Sequence, residues 1–337
     1  MDFQHLVADD SELLAEMLDR SSELVVPAAG RLEGIGGGGG TEALTRQLDQ
    51  MNEGSYAPGQ ADGVEAIVLR FTRPVFLIQD SLVSPPADSG TTFINGESEV
   101  ITARLVAAKT QLDSAIPSVG RIDLRNHRFD WVGTGWVVKP GIAVTNRHVA
   151  ENFARQNGDR FTFRTADNGR QVKASLDWKR EYERPDESVA VVEEVLWVEP
   201  DGGPDLAILS IGQADAQGQL SPEPISLMAQ DQIDASVGRW VAVIGYPARS
   251  PYNDLADQQR IFDGIYNVKR VAPGTVMSVS PDGRLTHDAT TLGGNSGSVI
   301  MDLDTGQAVG LHFGGFEGDR NTGVQAAVVA SRVAEHA

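Results

Sequence analysis

The chain has 337 residues, 41% of them hydrophobic, and carries 28 basic against 47 acidic side chains for a formal net charge of −19. Such a length suits one large domain with an extension, or two domains, and the acidity speaks against nucleic acid or anionic lipid as a main partner. The absence of cysteine excludes a disulfide framework, a thiolate nucleophile and a Cys-ligated metal.

The start, MDFQHLVADDSELLAEMLDR, lacks the basic stretch and apolar core of a secretion signal. No segment reaches the roughly 18 apolar residues of a membrane helix, so the expected location is the cytoplasm, with no membrane partner. Residues 1–35 read as a short helical segment. Leu13, Leu14, Met17 and Leu18 share one face of a helix over 11–26, which Pro27 stops. Five glycines at 36–40 form a linker. Residues 41–115 read as an α/β extension, regulatory or pro-like. It opens with a helix over 41–51 capped by Thr41 and continues through the β-like runs AIVLRF and VFLIQ within 65–83. A helix over 97–112 follows, with Ile101, Leu105, Ala108 and Leu112 on one face.

Beyond Pro117 the texture changes to short apolar runs between turn residues: FDWVGTGWVV, GIAVTN, VAVVEEVLWVEP, DLAILSI, WVAVIGYP, GTVMSV, SGSVIMD, AVGLHFGG and GVQAAVVA. Evenly spaced short strands predict an all-β sandwich or barrel, and residues 116–337 form the main domain.

The chemistry starts at TLGGNSGS, residues 291–298. Glycines around Ser296 let the chain turn tightly and bring backbone N–H groups near its hydroxyl, as an oxyanion hole requires. The same string also serves as an ordinary turn. A serine hydroxyl needs a base to become a nucleophile. His148, in GIAVTNRHVAENF, directly follows a strand and opens a helical turn; a lone histidine there can equally be structural. The imidazole in turn needs a carboxylate. Asp205, in GGPDLAIL, begins an apolar run at the edge of a core, and Asp201 is the weaker alternative. The order His, Asp, Ser is that of chymotrypsin-like enzymes. No metal-ligand cluster with catalytic spacing is present, and this chemistry calls for no cofactor.

These motifs resemble those of trypsin-like serine peptidases: GTGWVV with TNRHVA for the histidine, PDLAIL for the aspartate and GGNSGS for the nucleophile, over about residues 118–333. The resemblance implies two antiparallel six-stranded β-barrels packed face to face, the triad His148, Asp205 and Ser296 between them, and an oxyanion hole from the N–H groups of Gly294 and Ser296. TLGGNSGS and VGLHFGG look most like bacterial glutamyl endopeptidases. By that likeness Thr291 and His312 bind a glutamate carboxylate ahead of the scissile bond, and Thr290 stands at the pocket floor where trypsin-type enzymes carry Asp. Phe313, Gly314 and Gly315 match the strand that pairs with substrate backbone, with Arg320 shortly beyond. Asn295 replaces the family's Asp before the nucleophile, and an amide forms no ion pair with a freed N-terminal amine. Gly120-Arg121-Ile122 resembles an activation site but reads better as a first strand.

The expected function is therefore a serine endopeptidase acting on polypeptides, with preference for Glu or Asp. Its N-terminal extension is expected to restrain it or to recruit a regulatory protein or an activating protease. The alternative is a catalytically silent module that keeps the fold and binds peptides in its cleft.

Overall fold

The computed structural model describes residues 73–83, 97–166, 168–215, 217–250, 253–316 and 320–337. The helices expected at 11–26 and 41–51, the glycine linker and the AIVLRF run lie outside them.

The described chain opens with a hairpin of β1 (Phe76–Gln79) and β2 (Leu82–Val83). Asp80 and Ser81 form its two-residue turn at φ 58° and 60°, the left-handed values that match the twist of paired strands. Helices α1 (Glu97–Ala107) and α2 (Lys109–Ala115) follow, then a 3₁₀ turn (Ile116–Ser118). The expected single helix over 97–112 is thus two, parted at Ala108 where ψ is 11°. Its apolar face survives the break, because Ile101, Leu105, Ala108 and Leu112 are all buried.

The first barrel contains β3 (Val119–Arg125), β4 (Trp131–Lys139) and β5 (Ile142–Thr145), then the one-turn helix α3 (Arg147–Ala150) and a side hairpin of β6 (Ala154–Asn157) and β7 (Arg160–Phe163). Strands β8 (Lys173–Asp177), β9 (Val189–Val198) and β10 (Ala207–Ile211) complete it. Six of these strands close in the order β10-β5-β4-β3-β8-β9. Gly120, Arg121 and Ile122 lie inside β3, paired on one edge to β4, and Arg121 and Ile122 also pair with β8 on the other.

The second barrel follows α4 (Gln230–Asp234) and contains β11 (Trp240–Gly245), α5 (Leu255–Phe262), β12 (Arg270–Val279), β13 (Arg284–His287), β14 (Val299–Asp302), β15 (Ala308–Phe316) and β16 (Arg320–Gln325); the chain ends in α6 (Ala326–His336). Its ring runs β11-β14-β15-β16-β13-β12 and closes through the β11–β12 pairing, with β1 and β2 added beyond β12. The two closed six-stranded barrels are the chymotrypsin-like architecture that the resemblance implies. One strand assignment needs correction. GVQAAVVA turns from strand to helix at Ala326, because Ala326, Val329 and Val333 recur at helical spacing and bury one face.

Each barrel has its own apolar interior. A third cluster lies between them and takes in Phe76 and Ile78 of β1, Ile101 and Leu105 of α1 and Leu112 of α2, together with Trp240 and Leu303. Burying each such side chain stabilises the fold by about 1.5–3 kcal/mol. The chain on either side of residue 116 therefore shares one core.

Candidate active site

In the antiparallel pair β5–β10, Thr145 stands opposite Ala207. The residues that leave β5 and those that enter β10 consequently emerge at the same end of the barrel. Asn146 uses its amide to donate to the Asp205 carbonyl at 2.8 Å. One residue into α3, the His148 backbone N–H donates to Asp205 Oδ1 at 3.1 Å, and His148 Nδ1 lies 2.6 Å from Oδ2. Burial alone would raise the Asp205 pKa. The charge of His148, its ring hydrogen bond and its backbone N–H outweigh that and hold it below the ordinary carboxylate value. An ionised Asp205 accepts only, so the shared proton sits on Nδ1 and the Nε2 lone pair is left as a base. Asp201, the alternative carboxylate, is fully exposed and pairs with Arg147 at 3.4 Å.

Two consecutive turns build the segment around Ser296. The Asn295 N–H donates to the Leu292 carbonyl at 3.1 Å, and the Ser298 N–H to the Asn295 carbonyl at 2.8 Å. The third residue of each turn is glycine at positive φ, Gly294 at 89° and Gly297 at 88°, as type II turns require. Space demands glycine as well: a Cβ on Gly294 would lie 2.4 Å from the Tyr246 carbonyl oxygen, and one on Gly297 would lie 2.0 Å from that of Thr134.

Strand β4 backs these turns. Thr134 donates its N–H to the Ser296 carbonyl at 2.9 Å and its hydroxyl to the Gly294 carbonyl at 2.8 Å. At Gly133 an added methyl would meet Val149 of α3 at 2.9 Å and the Ser296 carbonyl oxygen at 3.0 Å. The neighbour of His148 and the backbone of Ser296 thus meet across one glycine. Asn295 turns its amide inward to donate to the Leu292 carbonyl at 2.9 Å, closing its own turn.

The expected pocket residues are enclosed, with Thr290, Thr291 and His312 at 1%, 0% and 0% exposure. Thr290 commits its hydroxyl proton to the Arg73 carbonyl at 2.9 Å, so it holds an internal contact. His312 accepts the Gly297 N–H and donates its own N–H to the Ser298 carbonyl, both at 2.9 Å, which clamps β15 to the Ser296 turn. Its Nδ1 lies 3.1 Å from Nε2 of the buried His287. Burial, followed by the nearness of His312, drives the His287 pKa well below the ordinary value. β15 runs on past the end of its ladder with β14, where Leu311 meets Val299. Phe313, Gly314 and Gly315 lie in that overhang, which pairs with β16, and Arg320 opens β16 opposite Phe316.

Arg73, Asn146, Thr134, His287 and Asp288 were not singled out from the sequence. Asn146 inside TNRHVA and Thr134 inside GTGWVV lie within recognised motifs and carry that much signal. Arg73, His287 and Asp288 carry none. Among the described residues no cluster of His, Asp and Glu could hold a metal ion, and no helix is long and apolar enough to cross a membrane.

Residues 133–311 match the model of the trypsin-like peptidase domain. A probable serine protease of Lysobacter enzymogenes is 31% identical over 291 residues, which cover 77% of this chain and 71% of that protein. A glutamyl endopeptidase of Staphylococcus epidermidis is 24% identical over 192 residues, 57% of each chain. Among solved structures, a protease of M. tuberculosis in its active form aligns at a TM-score of 0.44 and 21% identity, over 69% of this chain and 86% of that one. The domain match and the Lysobacter relative together show that this chain belongs to the trypsin-like peptidase family and is a serine endopeptidase.

Proposed function

We propose that the chain cleaves polypeptides by acylation of Ser296, with His148 as general base and Asp205 as the group that orients and stabilises it. The observation that carries this reading is the double contact of Asp205 with the ring and the backbone of His148. As the Ser296 hydroxyl attacks the substrate carbonyl, Nε2 of His148 takes its proton. The N–H groups of Gly294 and Ser296 receive the oxyanion, each worth about 3–4 kcal/mol of barrier. The imidazolium then protonates the leaving amine, and the same ring activates the water that frees the acyl group. Substrate backbone adds as a strand along Phe313, Gly314 and Gly315.

For the residue before the scissile bond we propose Glu or Asp. Thr291 and His312 occupy the positions that hold the substrate carboxylate in the glutamyl endopeptidases, and the Thr291 hydroxyl has no hydrogen-bond partner among the described residues. A basic side chain finds no counter-charge here, since Thr290 is neutral and Asp288 is already paired with Arg73 at 2.7 Å. Regulation falls to the chain before Arg73, through a protein partner or an activating protease, because residues 73–83 and 97–118 contribute to the shared core.

Profiling cleavage sites in a peptide library, with Ser296→Ala as control, tests this function. Cuts after Glu or Asp that vanish in the variant are expected. Cuts after Lys or Arg would overturn the pocket and keep the triad. No cuts, together with no labelling by a serine-directed phosphonate, would leave a peptide-binding module instead.

A further inference from the structure

Arg73 precedes the first barrel strand by 46 positions of chain, yet it lies beside the segment that leads into the Ser296 turn.

 Its guanidinium meets the Asp288 carboxylate at 2.7 Å and lies over the Trp240 ring at 4.7 Å. Its carbonyl accepts the Thr290 hydroxyl at 2.9 Å. One residue of the N-terminal strand segment therefore holds both neighbours of Ala289, by side chain and by backbone. β12 grips the same carboxylate, through the Thr275 N–H at 2.6 Å and its hydroxyl at 3.0 Å.

Arg73 and Asp288 are both buried, at 6% and 2% side-chain exposure. Such a pair adds little net stability, because desolvation offsets the attraction. What it fixes is geometry: a planar guanidinium pressed on an indole and paired with a held carboxylate has little room to move. The strand segment is fastened at other points as well. The Tyr182 N–H donates to the Ile78 carbonyl at 3.0 Å, and Glu181 accepts the Ser81 N–H at 2.7 Å.

We infer that Arg73 is a specificity-determining positioning residue, which through Asp288 and Thr290 sets the floor of the pocket that receives the side chain before the scissile bond. The inference rests on the proposed placement of that pocket at Thr290, Thr291 and His312. It also makes residues 73–83 part of the working enzyme, so an activating cut falls before Arg73.

The test uses the full-length chain carrying Arg73→Met, Asp288→Asn or Arg73→Lys. Matched peptides differing only in the residue before the scissile bond (Glu, Asp, Gln or Ala) give kcat/KM ratios. The rate of Ser296 modification by diisopropyl fluorophosphate reports the triad without filling the pocket. For Arg73→Met and Asp288→Asn, the ratio of the preferred peptide to the Ala peptide is expected to fall about tenfold or more, within the range a pocket can discriminate. The fluorophosphate rate should stay within about twofold of the parent, as expected when transition-state machinery is untouched. Arg73→Lys, which keeps the charge, should recover part of the ratio.

An unchanged ratio would overturn the inference, and so would parallel losses in both readouts. If Arg73→Met does not fold, the nearly isosteric Asp288→Asn decides; failure of both to fold would make the segment a general structural brace and overturn the specific role. The unmodified enzyme's own profile separates the two readings. If it prefers a residue other than Glu or Asp, the pocket chemistry proposed above fails, while the ratio for the residue it does prefer still tests Arg73.

Discussion

Asp205 receives two N–H groups from a single residue, the backbone and the ring of His148, at 3.1 Å and 2.6 Å. One carboxylate thereby fixes both the helical turn that carries the imidazole and the rotation of the imidazole itself. Because its folded pKa is held below the ordinary value, its contribution to stability is complete above the unfolded value of about 3.9 and is lost as pH falls through the folded one.

Asp205→Asn separates those two roles. The amide oxygen can still accept one N–H, so the fold should persist, but the ring loses the partner that fixes its tautomer. Turnover on a peptide found by library profiling should fall about 10⁴-fold, as when the carboxylate of such a triad is neutralised. Ser296→Ala or His148→Ala should cost on the order of 10⁶-fold. A loss below about tenfold for Asp205→Asn would mean that the imidazole is oriented by something else.

The glycines around Ser296 give a prediction that depends on space. Gly294→Ala and Gly297→Ala each place a Cβ at positive φ, with backbone oxygens 2.4 Å and 2.0 Å away. The conformation costs on the order of 1–3 kcal/mol each, before any clash is counted. Gly294→Ala should reduce fluorophosphate labelling of Ser296 by about 10²-fold or more if its N–H is the proposed oxyanion donor, since displacing one such donor has that effect. Gly297→Ala should also lower the thermal midpoint, because Thr134 on β4 is fixed by the turn it supports. Full labelling in either variant would show that the turn can relax without harm.

The proposed triad was legible in the sequence because each of its three residues sits in a short stretch with its own local signature. Asp205 begins an apolar run, His148 follows a strand, and Ser296 stands among glycines. Strands such as β4, β11 and β14 were visible for the same reason, as continuous apolar runs buried on both sides. β8 (KASLD) and β13 (RLTH) were not, since most of each is polar and only their two ladder neighbours make them strands. Arg73 left no trace at all. Its partners Asp288 and Thr290 lie 215 and 217 positions away, and nothing in the Thr-Arg-Pro interruption foretells an ion pair across that distance.

Lys269 offers a test of how the barrels and the β1–β2 hairpin are joined. Its buried ammonium donates to the Ile116 carbonyl at 2.9 Å and the Trp178 carbonyl at 2.7 Å, and lies 3.7 Å from Glu181. Burial, opposed by the attraction of Glu181, lowers its pKa to about 8, so it is charged at neutral pH. Lys269→Met leaves Glu181 buried without its cation and should destabilise the protein by about 3–5 kcal/mol. Adding Glu181→Gln should restore much of that loss, because the orphaned charge is then gone. Equal midpoints of denaturant unfolding for the single and double variants would show that the lost carbonyl contacts, not the stranded carboxylate, set the cost.

His287 provides a prediction in pH. Its folded pKa lies well below the ordinary value, first through burial and then through the nearness of His312. An unfolded chain takes up a proton on this ring near pH 6.5, while the folded chain does so only at lower pH. Between those values the unfolded state binds more protons, so stability falls as pH falls; it is fully present above about 6.5. His287→Gln removes that proton uptake and keeps a polar side chain facing His312 Nδ1. Thermal midpoints measured from pH 7.5 to pH 5 should therefore drop less steeply in the variant than in the parent. A difference of 1 kcal/mol would appear as roughly 2–4 °C in a domain of this class. Superimposable pH profiles would mean that the His287 ring is protonated as easily inside the barrel as outside it.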